Sequence, residues 1–229
     1  MRTAAYRTNV RKLIILAVLV LLAAAAYLTV EVDPKYFSFA MSLRIPKLIV
    51  MLIAAFAIGG ASLVFQSIIN NTIVTPCLLG MNSLYTLIHT AVVFAAGSGS
   101  ILASNANISF AVDLAVMGVS ATVIYGYLFK KTNYNVLYVL LIGTVLTSFF
   151  GSIQSTLTRV MDPNEYDSLL ATLVASFSNV NSEIIIFSLV VLAVLIFVLR
   201  HDLALLDVLT LGKAQAIDLG VDYDRSIRR

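Results

Sequence analysis

The sequence predicts an all-α fold, a polytopic helical membrane protein with about six transmembrane helices in 229 residues. Three observations point to it. The chain is 60% hydrophobic and only 12% charged, whereas soluble domains average roughly 45–50% apolar and about 25% charged. Its mean hydropathy is +0.96, so its side chains as a population prefer lipid to water. Its apolar residues also gather into runs near the roughly 20 residues that a helix needs to cross the hydrocarbon core.

The runs lie near 13–32, 46–69, 82–97, 108–129, 135–158 and 183–200. The first follows Arg2, Arg7, Arg11 and Lys12, a basic cluster that the positive-inside rule keeps in the cytoplasm. Its apolar stretch exceeds the roughly 7–15 residues of a signal-peptide core, and it reads as a retained span. The third run is the shortest. Alternating the spans from a cytoplasmic N-terminus puts 1–12, 70–81, 130–134 and 201–229 inside, and 33–45, 98–107 and 159–182 outside. Of the 15 lysines and arginines, Lys35, Arg44, Lys47 and Arg159 fall outside and the other eleven inside. That asymmetry supports the orientation.

Between the runs, four stretches carry more than topology. "SLRIPK" sets Arg44 and Lys47 at the outer mouth of the second run, where they serve at least as interfacial anchors with apolar stems. "AAFAIGGAS" stacks Ala57, Gly60 and Ala61 at helical spacing, small residues that let helices approach closely in lipid. "QSIINNTIVTPCLLG" holds no charge and is broken by Asn70, Asn71 and Pro76. It is either a plain helix–turn–helix joint or a loop packed inside the bundle near a translocation path. In the long outer connection, Asp162-Pro163 opens a stretch, 168–177, that predicts a short helix ended by Asn179 and Asn181. It is too short to span, so it lies on the outer surface or re-enters among the helices.

The polar tail "LTLGKAQAIDLGVDYDRSIRR" places Leu211, Ala214, Ile217 and Val221 along one edge of a short helix, with Gly220 placed to end it. A helix resting on the membrane surface is one reading. Lys213 is its only internal cation, however, and surface-binding helices are usually rich in Lys and Arg.

"RIPK", the small-residue helix and "FQSIINNTIVTPCLLG" together resemble the signature region of the FecCD-type permeases. These are membrane subunits of ABC importers for iron–siderophore complexes, haem and cobalamin. Arg44, Pro46, Gly60, Gln66, Asn71, Pro76, Leu79 and Gly80 follow the family pattern in order and spacing. Two positions depart from it: Lys47 replaces an arginine, losing the bidentate fork, and Thr72 replaces a proline. "LLIGTVLTSFFGSIQS", "MDPNEY", "ASFSNVNSE" and "LDVLTLGKAQAIDLGVDYD" are similar to the subgroup that imports ferric siderophores and pairs with a second, related permease.

The resemblance implies a location in the bacterial cytoplasmic membrane and a set of partners. Arg44 and Lys47 would receive acidic residues of an extracytoplasmic siderophore-binding protein, lipid-anchored or periplasmic. Leu211, Gly212, Ala214, Leu219 and Gly220 would dock on separate ABC ATPase subunits. Gln66, Asn71, Pro76 and Gly80 would belong to the signature beside the pathway. Family members continue beyond the coupling segment into further transmembrane helices, so 1–229 is expected to be one permease domain, incomplete at its C-terminal side.

Three polar residues fall within the runs. Asp113 is either functional, as costly intramembrane carboxylates often are, or wetted near the outer end of its helix. His89 offers a proton relay or a hydrogen bond to a neighbouring helix, and Gln154 a substrate ligand or interhelical glue. No G-x-x-x-x-G-K-[ST] loop occurs, so ATP hydrolysis must come from another chain, and no enzyme activity is expected. Cys77 is the one cysteine, and no Cys/His cluster suggests a metal or other cofactor. The +3 net charge sits beside the spans, which argues against nucleic acid. The rival functions are an ion-coupled secondary transporter using Asp113 and His89, and a membrane scaffold.

Overall fold

The computed structural model describes residues 2–69, 71–72, 74–101, 105–132, 136–174, 180–223 and 226, with the side chains of 2–6, 136–137 and 213–214 outside that description. Asn70, Asn179 and the Ala214 side chain therefore lie outside the described residues.

The described residues form helices and turns without a strand. In order they are α1 (Arg2–Thr29), a 3-10 turn (Pro34–Tyr36), α2 (Phe37–Ile69), a second 3-10 turn (Pro76–Leu79), α3 (Met81–Ala96), α4 (Ala106–Lys131), α5 (Val136–Val160), α6 (Pro163–Leu173), α7 (Ser182–Leu209) and α8 (Lys213–Asp218). Among the described residues, five helices are long and apolar enough to cross a membrane, and Met81–Ala96 is shorter. The third predicted span is thus a helix of 16 residues, about 24 Å at 1.5 Å per residue, short of the ~30 Å hydrocarbon layer.

The long helices α1, α2 and α7 are apolar around most of their circumference, and large side chains such as Leu13, Leu21, Phe56, Ile58, Phe197 and Val198 stay exposed. Apolar character on every face marks a helix whose solvent is lipid. The chain is a membrane protein. The short α3 is central instead. Leu84, Ile88, His89, Thr90 and Val93 are buried on it, and α4, α5, α6 and the second 3-10 turn all pack against it. One core gathers Leu79, Leu84, Ile88, Tyr125, Leu128, Val139 and Phe150, and a smaller one gathers Val93, Met161 and Leu169.

Helix ends follow local chemistry. Asn105, Asp162 and Asn181 each accept backbone N–H groups at the starts of α4, α6 and α7, as N-caps do. Lys130 and Lys131 close α4, where cations meet the negative end of the helix dipole. Helix α7 runs to Leu209, past Arg200, His201 and Asp202. The predicted tail from 201 therefore begins as a continuation of that helix, because nothing between 200 and 209 breaks it.

Two expectations about packing change. Gly59 and Gly60 have nothing within 4 Å of the position a Cβ would take, so the glycines of the small-residue stack make no close approach among the described residues, while Ala57 lines the space between α2 and α7. The short outer helix starts at 163 rather than 168, since Asp162 caps it and Pro163 fits its first turn, and it ends at 173; positions 175–177 of the expected stretch lie outside the described residues.

Candidate functional site

The buried polar centre is built by three helices. His89 on α3 and Asp113 on α4 are 4% and 6% exposed. His89 sits seven residues before the end of α3 and Asp113 seven after the start of α4, which matches their depth across the connection. His89 Nδ1 lies 2.6 Å from Asp113 Oδ2, and His89 Nε2 lies 2.9 Å from Thr172 Oγ1 on α6. Tyr85, one turn before His89, stacks on the imidazole with centroids 6.1 Å apart. Asp113 Oδ1 and Thr90 Oγ1 are buried without a hydrogen-bond partner among the described residues.

Helix α6 reaches this depth by re-entering. Near its start, Glu165 accepts the Ser98 backbone N–H just beyond the end of α3. Near its finish, Thr172 meets His89 midway down α3, and Leu169 between them is 1% exposed. The helix therefore runs antiparallel to α3, about 10 Å deep over the seven residues from 165 to 172.

At the α2–α3 end of the bundle, the uncharged connection is packed inside. Val74, Leu79 and Gly80 are buried there. Pro76 opens the 3-10 turn and Gly80 closes it at φ +84°. The turn lies on α5: a Cβ on Gly143 would meet Leu79 Cα at 2.9 Å, and one on Gly80 would meet Thr147 Oγ1 at 2.7 Å. The Tyr125 hydroxyl on α4 donates to the Leu79 carbonyl at 2.6 Å. Of the signature residues, Pro76 and Gly80 form this turn. The Gln66 carbonyl accepts the Asn71 N–H at 3.1 Å as α2 ends.

At the α1–α2 end, Arg44 has an internal task. Its Nη1 donates to the carbonyls of Tyr27 and Val30, each at 2.7 Å, and its guanidinium lies 5.9 Å from the Tyr27 ring centroid. It caps the C-terminus of α1, where Glu31 turns the chain at φ +56°. Lys47 lies on the same face of α2 one turn later. Both line a groove of about 690 Å³ with Tyr27, Glu31 and Phe39.

The tail folds back on α7. Gly212 at φ +94° starts α8, and Gly220 at φ +81° ends it. The Gly220 N–H donates to the Ile217 carbonyl and the Val221 N–H to the Ala216 carbonyl, the paired bonds of a Schellman motif. Ala216 and Leu209 are buried, fixing α8 to its neighbour, while Leu211, Ile217 and Leu219 stay more than half exposed.

Comparison with known proteins decides the family. The FecCD transport family matches residues 12–228. This chain belongs to the FecCD family. Among its relatives, the petrobactin import system permease protein YclO of Bacillus subtilis (strain 168) is 34% identical over 187 residues, covering 81% of this chain and 59% of YclO. The petrobactin import system permease protein FatC of Bacillus anthracis is 33% identical over 201 residues, covering 86% and 56% respectively. The chain spans less than two thirds of the length of either relative. A solved metal-chelate type ABC transporter in an inward-facing conformation superposes with a TM-score of 0.73, at 23% identity, over 93% of this chain and 67% of that one. It shares the fold.

Further polar surface lies on α5. Helix α5 carries an exposed stripe of Thr144, Ser148, Ser152, Ser155, Thr156 and Arg159. Gln154 is half-buried and lines a hollow of about 560 Å³ with Gly151, Ser152, Ser155 and Arg159. The hydroxyls of Thr144, Ser148, Ser152 and Thr156 bond to carbonyls three or four residues earlier, so they add polarity to the face without needing partners.

The sequence singled out His89 and Asp113 as polar residues within the runs, and the fold joins them. It did not single out Thr172, Tyr125, Gly143 or Thr147. Gly143 had a signal, a lone glycine amid large apolar residues in "LLIGTVLT". Thr172 had none, because its role depends on α6 re-entering.

Proposed function

We propose that the chain is the transmembrane permease of an ABC importer that moves a ferric siderophore complex across the bacterial cytoplasmic membrane. The similarity to two petrobactin import permeases over more than four fifths of this chain carries the reading. Its partners on this reading are separate ATPase subunits, an extracytoplasmic siderophore-binding protein and a second, related permease. The N-terminus lies in the cytoplasm, and residues 1–229 form part of a single permease domain.

On this reading each step falls to a part of the fold. The α1–α2 end faces the binding protein. Lys47 is a basic group on that rim, steering encounter through its charge, while Arg44 holds α1 against α2. At the other end, α8 offers Leu211, Leu219 and Ile217 to an ATPase as an apolar edge anchored by Ala216. Movement of the ATPases would push α8 and with it α7, to which it is fixed. The buried turn at Gly80 packs between α3 and α5, so displacement at that end reaches the helix with the polar stripe. That stripe, from Thr144 to Arg159, suits a pathway wall or a contact with the second permease better than lipid.

Uptake measurements test the reading. Cells carrying the chain with its partners are expected to accumulate radioiron from a ferric siderophore in an ATP-dependent manner. A protonophore should leave uptake intact when ATP is maintained. Uptake that collapses with the proton gradient and survives ATP depletion would favour the ion-coupled rival instead.

A further inference from the structure

We infer that His89, Asp113 and Thr172 form a latch that sets the depth of the re-entrant helix α6. The hydrogen positions can be worked out from the donors. The Thr172 hydroxyl donates to the Leu169 carbonyl at 2.8 Å, so its oxygen must accept from His89, and Nε2 carries the hydrogen. Nδ1 and Asp113 Oδ2 then face each other at 2.6 Å. Two bare acceptors would repel at that distance, so one proton lies between them. It either sits on the carboxyl and is donated to Nδ1, or sits on Nδ1 and is donated to the carboxylate. In both arrangements the pair is neutral overall, as a buried pair in lipid requires.

The chain of contacts has a direction. Asp113 orients the imidazole, the imidazole holds Thr172, and Thr172 lies in the last turn of α6. The opposite end of α6 is held separately by Glu165 on the Ser98 N–H. Between these points only Leu169 is fully buried on the helix, so apolar packing alone gives α6 little hold. His89 and Asp113 are therefore positioning residues, and the latch must open for α6 to move relative to α3.

Hydrogen exchange of the backbone amides in Pro163–Leu173, measured on the membrane-embedded protein, tests this. Thr172→Val keeps the shape and removes the acceptor. It is expected to speed exchange in α6 about tenfold, the loss of one hydrogen bond to the buried imidazole, while Thr172→Ser exchanges like the parent. Asp113→Asn can still donate to Nδ1 and should stay within about twofold, whereas Asp113→Leu should approach Thr172→Val. Exchange in Ala106–Lys131 should be unchanged in Thr172→Val, Thr172→Ser and Asp113→Asn. The latch is overturned if Thr172→Val leaves α6 exchange unaltered, if Asp113→Asn exchanges as fast as Asp113→Leu, or if α4 loosens equally, since the role is then general packing.

Discussion

Adding one carbon at Gly143 and at Gly118 should have opposite effects. At Gly143 the new Cβ would meet Leu79 Cα and the Leu78 carbonyl, backbone atoms that cannot swing aside. Gly143→Ala is expected to cost about 1–3 kcal/mol as overpacking. At Gly118, in the middle of α4, nothing lies within 4 Å, and Gly118→Ala should gain about 0.5–1 kcal/mol from lost backbone freedom in the unfolded chain. Thermal unfolding of the two purified variants checks both signs. Arg44 and Lys47 separate in the same way. Arg44→Ala removes two hydrogen bonds to the end of α1 and is expected to lower stability by about 1–3 kcal/mol. Lys47→Ala should leave the melting temperature unchanged and weaken only association with a binding protein, measurable by titration. A double charge reversal would confuse the two effects. The sequence marked Arg44 as a charge in an unfavourable place but could not show its target, because the α1 carbonyls reach it only when α1 and α2 fold into a hairpin.

Among the elements, α8 depends on its terminal glycines most directly. Gly220 sits at φ +81°, a conformation that costs an L-residue about 1–2 kcal/mol. In a helix of six residues, Gly220→Ala is expected to unravel the last turn, read as faster exchange of the amides at 216–221. Exchange in α8 equal to that of the parent would contradict the assignment. Here the sequence was readable, because a glycine after an apolar edge carries its own stop signal. Most long helices were equally readable: α4 was expected at 108–129 and runs 106–131, and α5 at 135–158 runs 136–160. The elements that eluded periodicity are those governed by tertiary contact. Helix α7 extends beyond its apolar run because Leu203, Ala204, Leu205 and Leu206 are good helix formers and no Gly or Pro interrupts them. The entry of α6 into the bundle rests on Leu169 and Thr172 finding partners on other helices. In the stack of Ala57, Gly60 and Ala61 the glycine is open while Ala57 faces α7, and a closer approach occurs at a lone glycine, Gly143.

On the scale of the whole molecule, orientation and energy source are the claims to test. Cys77 is the one cysteine and is exposed, in a connection that the basic residues assign to the cytoplasm. A membrane-impermeant maleimide is expected to label it in inverted vesicles and not in intact cells; labelling from outside would reverse the topology. The central claim is that the chain borrows its energy from an ATPase at α8. The most direct measurement is ATP hydrolysis by the complex purified through this chain from its native membrane. An ATPase is expected to co-purify, its turnover to rise with ferric-siderophore-loaded binding protein, and Leu211→Asp with Leu219→Asp to abolish the association while the chain remains in the membrane. A complex that hydrolyses no ATP, from membranes whose siderophore uptake follows the proton gradient, would contradict it.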